Sequence, residues 1–123
     1  MSLKTLPVIA ILIISVVAVF CSSEKKSEEQ LYAEAQAYSE KGDFTSAIKT
    51  YEEILRLYPE SLNSYKAQFL IGFVYSENLK DYNKAKEVYE KVIKNYPDCD
   101  LADDAKVMLE SMGSDSLLKN LPK

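Results

Sequence analysis

The 123-residue chain carries 15 basic and 19 acidic side chains, a formal net charge of −4, with no histidine, two cysteines and three glycines. That balance offers phosphate backbones no attraction, which excludes a nucleic-acid partner. Without histidine, a cysteine cluster or a glycine-rich loop, the commonest general base, the usual zinc-ligand sets and a phosphate cradle are missing, so catalysis, a metal and a cofactor are not expected.

The first predicted element precedes the folded domain. Lys4 is the single charge before an uncharged, mostly apolar run from Leu6 to Phe20, after which the composition switches to Ser22-Ser23-Glu24-Lys25-Lys26. Residues 1–20 have the layout of a secretory signal peptide. At about 1.5 Å per residue the run falls short of a hydrocarbon core of about 30 Å, which favours a cleaved signal over a permanent span. Cys21 stands at the junction, and Ala18-Val19-Phe20-Cys21 resembles a bacterial lipobox. The resemblance implies that Cys21 becomes the mature N-terminus and carries lipid such as palmitate, with a charged linker over residues 21–29. Phe20 occupies the position where lipoboxes carry Gly, Ala or Ser. Plain secretion and a single uncleaved N-terminal anchor therefore stand as alternatives.

Helices are predicted next at 30–41 and 44–57. Leu31, Ala35 and Tyr38 share one face of the first, Gly42 interrupts the chain, and Ala47, Tyr51 and Ile54 share one face of the second, which stops before Pro59. The pattern returns 38 positions later: Ala47, Tyr51, Ile54 and Pro59 recur as Ala85, Tyr89, Val92 and Pro97. Asp43-Phe44 likewise recurs as Asp81-Tyr82, and Tyr58 as Tyr96. A helix pair that cannot bury its apolar face alone stacks on its copies, so the predicted fold class is all-α, a short helical solenoid with an extended surface. The remaining helices are predicted at 62–79, 82–95 and 100–112, with no strand.

The intervals within residues 28–61 resemble the tetratricopeptide repeat of about 34 residues. In that family, small residues such as Ala35 and Ala47 let two antiparallel helices approach, and bulky ones such as Tyr38 and Tyr51 fill the space beside them. Glu34 departs from the aliphatic preference at its position, a change the first helix of a stack tolerates. The second repeat, residues 62–99, has three extra residues between Pro59 and Gly72 and one extra assigned to the turn containing Leu79 and Lys80. With Tyr58-Pro59-Glu60-Ser61 and its echo Tyr96-Pro97-Asp98-Cys99, it resembles the longer variant of bacterial envelope proteins. Two such families are the BamD-type outer-membrane assembly lipoproteins and the TolA-binding coordinators of envelope constriction. The opening Leu31-Tyr32-Ala33-Glu34-Ala35-Gln36 is especially similar to the BamD type, and the likeness extends over residues 31 to about 110. These readings give a repeat domain over 30–113 that ends in a capping helix over 100–112. Asp100 is its expected N-cap, Gly113 its expected stop, and 114–123 a tail.

In tetratricopeptide repeats the first helix of each repeat lines the concave side. The resemblance therefore implies a partner-binding groove along Tyr32, Gln36, Lys66, Phe69, Phe73 and Ser76, flanked by Glu29, Ser39, Asp104, Val107 and Ser111. Repeats that clamp a terminal carboxylate use Lys, Arg and Asn there, whereas these aromatic rings suit apolar side chains of a protein or peptide partner. Phe69 and Phe73 have a second reading, as packing residues against neighbouring helices. Cys99 replaces Ser61 of the previous copy and reads as a small, half-buried residue. Adjacent carboxylates such as Glu52-Glu53 and Asp103-Asp104 point about 100° apart on a helix, which makes them solvated faces and not an acid/base pair.

The expected function is a lipid-anchored protein–protein interaction adaptor without enzymatic activity. It would face the periplasm from a bacterial envelope membrane, the outer in preference to the inner, and help assemble or organise an outer-membrane complex. The alternatives are a structural, homo-oligomerising module and, ranked below it, a small-ligand carrier or enzyme using the aromatic groove.

Overall fold

The first four helix starts are each set by a short side chain that accepts a hydrogen bond from an otherwise unpaired backbone N–H. In the computed structural model, which describes residues 24–119 with side chains up to residue 113, Ser27 opens α1, Glu28–Glu40. A reciprocal pair forms there: Gln30 N–H donates to Ser27 Oγ at 3.3 Å and Ser27 N–H to Gln30 Oε1 at 2.9 Å. Asp43 caps α2, Phe44–Leu57, and its copy Asp81 caps α4, Tyr82–Asn95, by accepting from Ser46 N–H at 3.1 Å and Lys84 N–H at 3.2 Å. Ser61 caps α3, Leu62–Phe73, which continues into a π-helical segment, Val74–Asn78. The last helix, α5, is Leu101–Lys119. Among the described residues there are five helices and no strand, as the repeat predicts.

The helices stack as antiparallel pairs in which each touches its successor, while α3 also touches both α1 and α5. Two apolar clusters fill the stack, one around Leu31, Ala35, Tyr51, Ile54 and Ile71, the other around Ala85, Tyr89, Val92 and Ala105. Alanines 35, 47, 67, 85, 102 and 105 are all buried. Small residues of this kind let packed helices approach, and a larger side chain at those buried points would push them apart. A tight approach occurs at Gly72: a Cβ built there would lie 2.8 Å from Tyr89 Cε1.

The extra residues of the second repeat lie inside helix, and one of them is not where the sequence suggests. The turns 41–43 and 79–81 are both three residues long. From Gly72 to the end of its helix at Asn78 is six residues, against five from Ala35 to Glu40. The single insertion assigned to the Leu79-Lys80 turn is therefore absorbed as the π turn, which takes an extra residue without breaking the helix. At the other end, Leu62 to Gly72 is ten residues against seven from Glu28 to Ala35, so the three-residue insertion adds nearly one turn to the start of α3. The turns also match in backbone: Gly42 has φ 78°, and Lys80, 38 positions on, takes the same left-handed region at φ 55° despite its side chain.

Gly113 does not stop the last helix, which runs through it to Lys119 and so takes in part of the expected tail. A glycine stop requires a left-handed residue, and Gly113 does not have a positive φ. The next proline is Pro122, so nothing in the intervening sequence forces an earlier break.

The unexpected charge in α1 has a partner in the segment before the helix. Lys26 Nζ lies 2.6 Å from Glu34 Oε2, which holds the lysine above its ordinary pKa, and Tyr38 Oη donates to Glu34 Oε1 at 3.4 Å. The end of the first repeat is tied to the same segment and to the first residue of α1. Tyr58 Oη donates to the Lys26 carbonyl at 2.9 Å, and Ser61 Oγ donates to Glu28.

Candidate functional site

The six residues expected to line a groove divide into four groups, the last of them Ser76 alone. Gln36 is exposed and Lys66 half-buried, both without a role in either apolar cluster. Tyr32 and Phe69 are half-buried and engaged in packing: Tyr32 sets its edge against Tyr51 with centroids 5.9 Å apart, and Phe69 lies tilted on Tyr89 at 5.2 Å. Phe73, one turn beyond Phe69, belongs to neither cluster and remains 42 % exposed.

Ser76 is a correction, because it is fully buried and cannot line a groove. Its hydroxyl donates to the Phe73 carbonyl at 3.2 Å and lies 3.4 Å from Tyr89 Oη. The cause is the π segment beginning at Val74: its wider turn rotates Ser76 away from the face that regular α spacing from Phe73 assigns to it. Among the flanking residues, Glu29 and Asp104 are exposed and Val107 on α5 is 62 % exposed. Ser39 and Ser111 direct their hydroxyls to the carbonyls of Ala35 and Met108. The helices α3 and α5 thus leave Phe73 and Val107 exposed to a partner, with the rings of Tyr32 and Phe69 available in part.

The tyrosines beneath this face are uncharged anchors. Burial pushes the Tyr51 hydroxyl up to about 12, with Tyr32 contributing after it, and burial likewise raises Tyr89. Cys99 is a free, half-buried thiol packed against the second cluster, as its serine-like position suggests. Among the described residues, no group of three or more His, Cys, Asp or Glu could hold a metal ion, and no helix is long and apolar enough to cross a membrane. Cys21 and the segment 1–20 lie outside the described residues.

Sequence reasoning missed a second concavity. A cleft of about 750 Å³ opens between the turn at Pro59 and the one that follows Asn95 at the end of α4, with Leu62 and Tyr65 of the lengthened α3 on its wall. The available signal was Leu62, an apolar residue at the very start of a helix, where it has little to pack on; it is 77 % exposed.

With the stacked pairs in view, the comparisons with known proteins agree. Tetratricopeptide repeat models match residues 28–61 and 66–98, together more than half of the chain, and the protein belongs to the tetratricopeptide repeat family. No curated protein matches it. Repeats of this family form protein–protein interaction modules and are in general non-enzymatic scaffolds.

Proposed function

We propose that the protein is a lipid-anchored adaptor of a bacterial cell envelope, which seats an apolar segment of a protein partner across α1, α3 and α5. Cys21 carries the anchor, and the likeness of residues 31 to about 110 to BamD-type lipoproteins supports a periplasm-facing place at the outer membrane. One observation carries the binding reading: Phe73 is held out of both clusters on a helix whose buried face is already filled by Ala67, Ile71 and Val74. A solvent-exposed aromatic, with Val107 also exposed on the neighbouring α5, is the kind of anchor that interfaces bury.

Paired variants of the full chain test this, with affinity capture from an envelope extract and thermal melting measured together. Phe73→Ala is expected to weaken capture by about 2 kcal/mol, roughly thirtyfold, with little loss of stability. Tyr89→Ala, which empties a fully buried site between Phe69 and Gly72, is expected to cost about 3 kcal/mol of stability or more. If Phe73→Ala melts the domain and the folded remainder captures its partner as before, Phe73 is a core residue and the proposed face is wrong.

A further inference from the structure

The cleft between the two Tyr-Pro turns has a chemistry of its own, separate from the face carrying Phe73. Its aromatic wall is the pair Tyr65 and Tyr96, with centroids 6.3 Å apart and planes inclined by 56°. Leu62 stands beside them on the added turn of α3. Glu60, Asp98 and Asp100 supply three carboxylates, and no residue lining the cleft is basic. None of those carboxylates forms an ion pair among the described residues.

The first repeat shows what such a tyrosine holds when a cation is at hand. Tyr58, 38 positions before Tyr96, has Lys25 Nζ over its ring at 5.3 Å from the centroid, while its hydroxyl holds the Lys26 backbone. Lys26 immediately precedes the helix cap Ser27, and Glu60 immediately precedes the matching cap Ser61. Beside Tyr96 the second copy therefore replaces a lysine-bearing segment with a carboxylate, and the longer start of α3 leaves the cleft open. The negative charge reaches the rings: Tyr65 is raised first by desolvation and then by Asp100, and Tyr96 first by desolvation and then by Glu60. A ring face next to carboxylates attracts a cation twice over, through its quadrupole and through Coulomb attraction.

We propose that this cleft docks a partner segment pairing an apolar side chain with a lysine or arginine, the apolar group against Leu62 and the cation over Tyr96 between Glu60 and Asp98. The site would select basic partner segments on a side of the solenoid that the Phe73 face does not use, and so let one chain hold two partners or two parts of one.

The test uses isotope-labelled full chain in neutral detergent, titrated with the peptide acetyl-Ala-Leu-Lys-Arg-Leu-Ala-amide and with a control in which Glu replaces both basic residues. The basic peptide is expected to give saturable amide shifts at Leu62, Tyr65, Tyr96 and Asp98, and the acidic control none. Removing the two rim charges in the double variant Glu60→Gln, Asp98→Asn, both at exposed positions, is expected to weaken binding roughly five- to tenfold. No saturable shift, or equal response to the acidic peptide, overturns the proposal. Shifts centred on Tyr32, Phe69 and Phe73 overturn it too, while leaving the proposed adaptor face standing. Shifts at the cleft that grow with protein concentration in the absence of peptide would make a second copy the occupant and equally overturn it.

Discussion

Replacing Gly72 by alanine should destabilise the protein, against the usual direction for a glycine inside a helix. In an open helical position the change gains about 0.5 to 1 kcal/mol, because alanine loses less backbone freedom on folding. At Gly72 the new methyl would lie 2.8 Å from Tyr89 Cε1 and 3.0 Å from two further ring carbons, well inside the ~3.5–4 Å optimum for carbon contacts. The ring has no room to retreat, since Tyr89 is fully buried, with Phe69 at 5.2 Å and its hydroxyl 3.4 Å from Ser76. Overpacking of this kind costs about 1 to 3 kcal/mol, so the net loss is expected at about 1 to 2 kcal/mol. Gly113 is the internal control, a helical glycine whose added Cβ meets nothing within 4 Å. Gly113→Ala should therefore gain the ordinary propensity increment. For a domain of this size about 1 kcal/mol moves the melting temperature by some 4–8 °C, so the two variants should move it in opposite directions. Thermal and urea unfolding followed by far-ultraviolet circular dichroism would show this. A Gly72→Ala protein that melts at or above the native temperature would refute the argument that the Tyr89 ring requires the glycine.

Alkali should unfold the protein through its buried tyrosines. Tyr51 is pushed up to about 12 from an ordinary 10.0, mainly by burial, so the fold holds that proton more tightly than the open chain does. Its contribution is complete below about pH 10 and is lost as pH rises through about 12, which predicts a melting temperature that falls across that window. Tyr51→Phe should blunt the fall, and a level or rising profile would contradict the assignment. For the anchor, the native chain expressed in a bacterial host should incorporate labelled palmitate and Cys21→Ser should not. Label persisting in the variant, or absent from the native chain, would exclude lipidation at Cys21.

The repeat was legible because its markers are local: prolines that end helices, Asp43 and Asp81 that begin them, and small residues spaced to meet across a helix pair. Those constraints act within one or two turns and leave their mark at fixed intervals. What escaped was the fate of inserted residues. An extra residue between Gly72 and Ala85 can lengthen a turn or widen a helix, and both leave the flanking intervals alike. The choice depends on Tyr89 meeting Gly72 and Ser76 from another helix. The error at Ser76 follows from the same point, since a face counted at α-helical intervals goes out of phase once the helix widens. Phe69 and Phe73 were indistinguishable in sequence for a similar reason. Only the position of the Tyr89 ring, twenty residues beyond Phe69, separates the packed side chain from the free one. The cleft beside Leu62 arises where the three added residues carry α3 past its neighbours, a property of relative helix lengths that no single motif records.

The hydrogen bonds that join the start of α1 and the residues just before it to the α2–α3 corner have a mechanical consequence. Tyr58 to Lys26 and Ser61 to Glu28 join positions 32 and 33 residues apart, so the first helix pair is fastened where it opens and where it closes. A pull applied to the chain just before Lys26 would load the α2–α3 corner through the Tyr58 hydroxyl as well as the first turn of α1. Peeling α1 from its end would require that fastening to part first. Force arriving from the N-terminal side is thus shared between the start of α1 and the α2–α3 corner instead of falling on α1 alone.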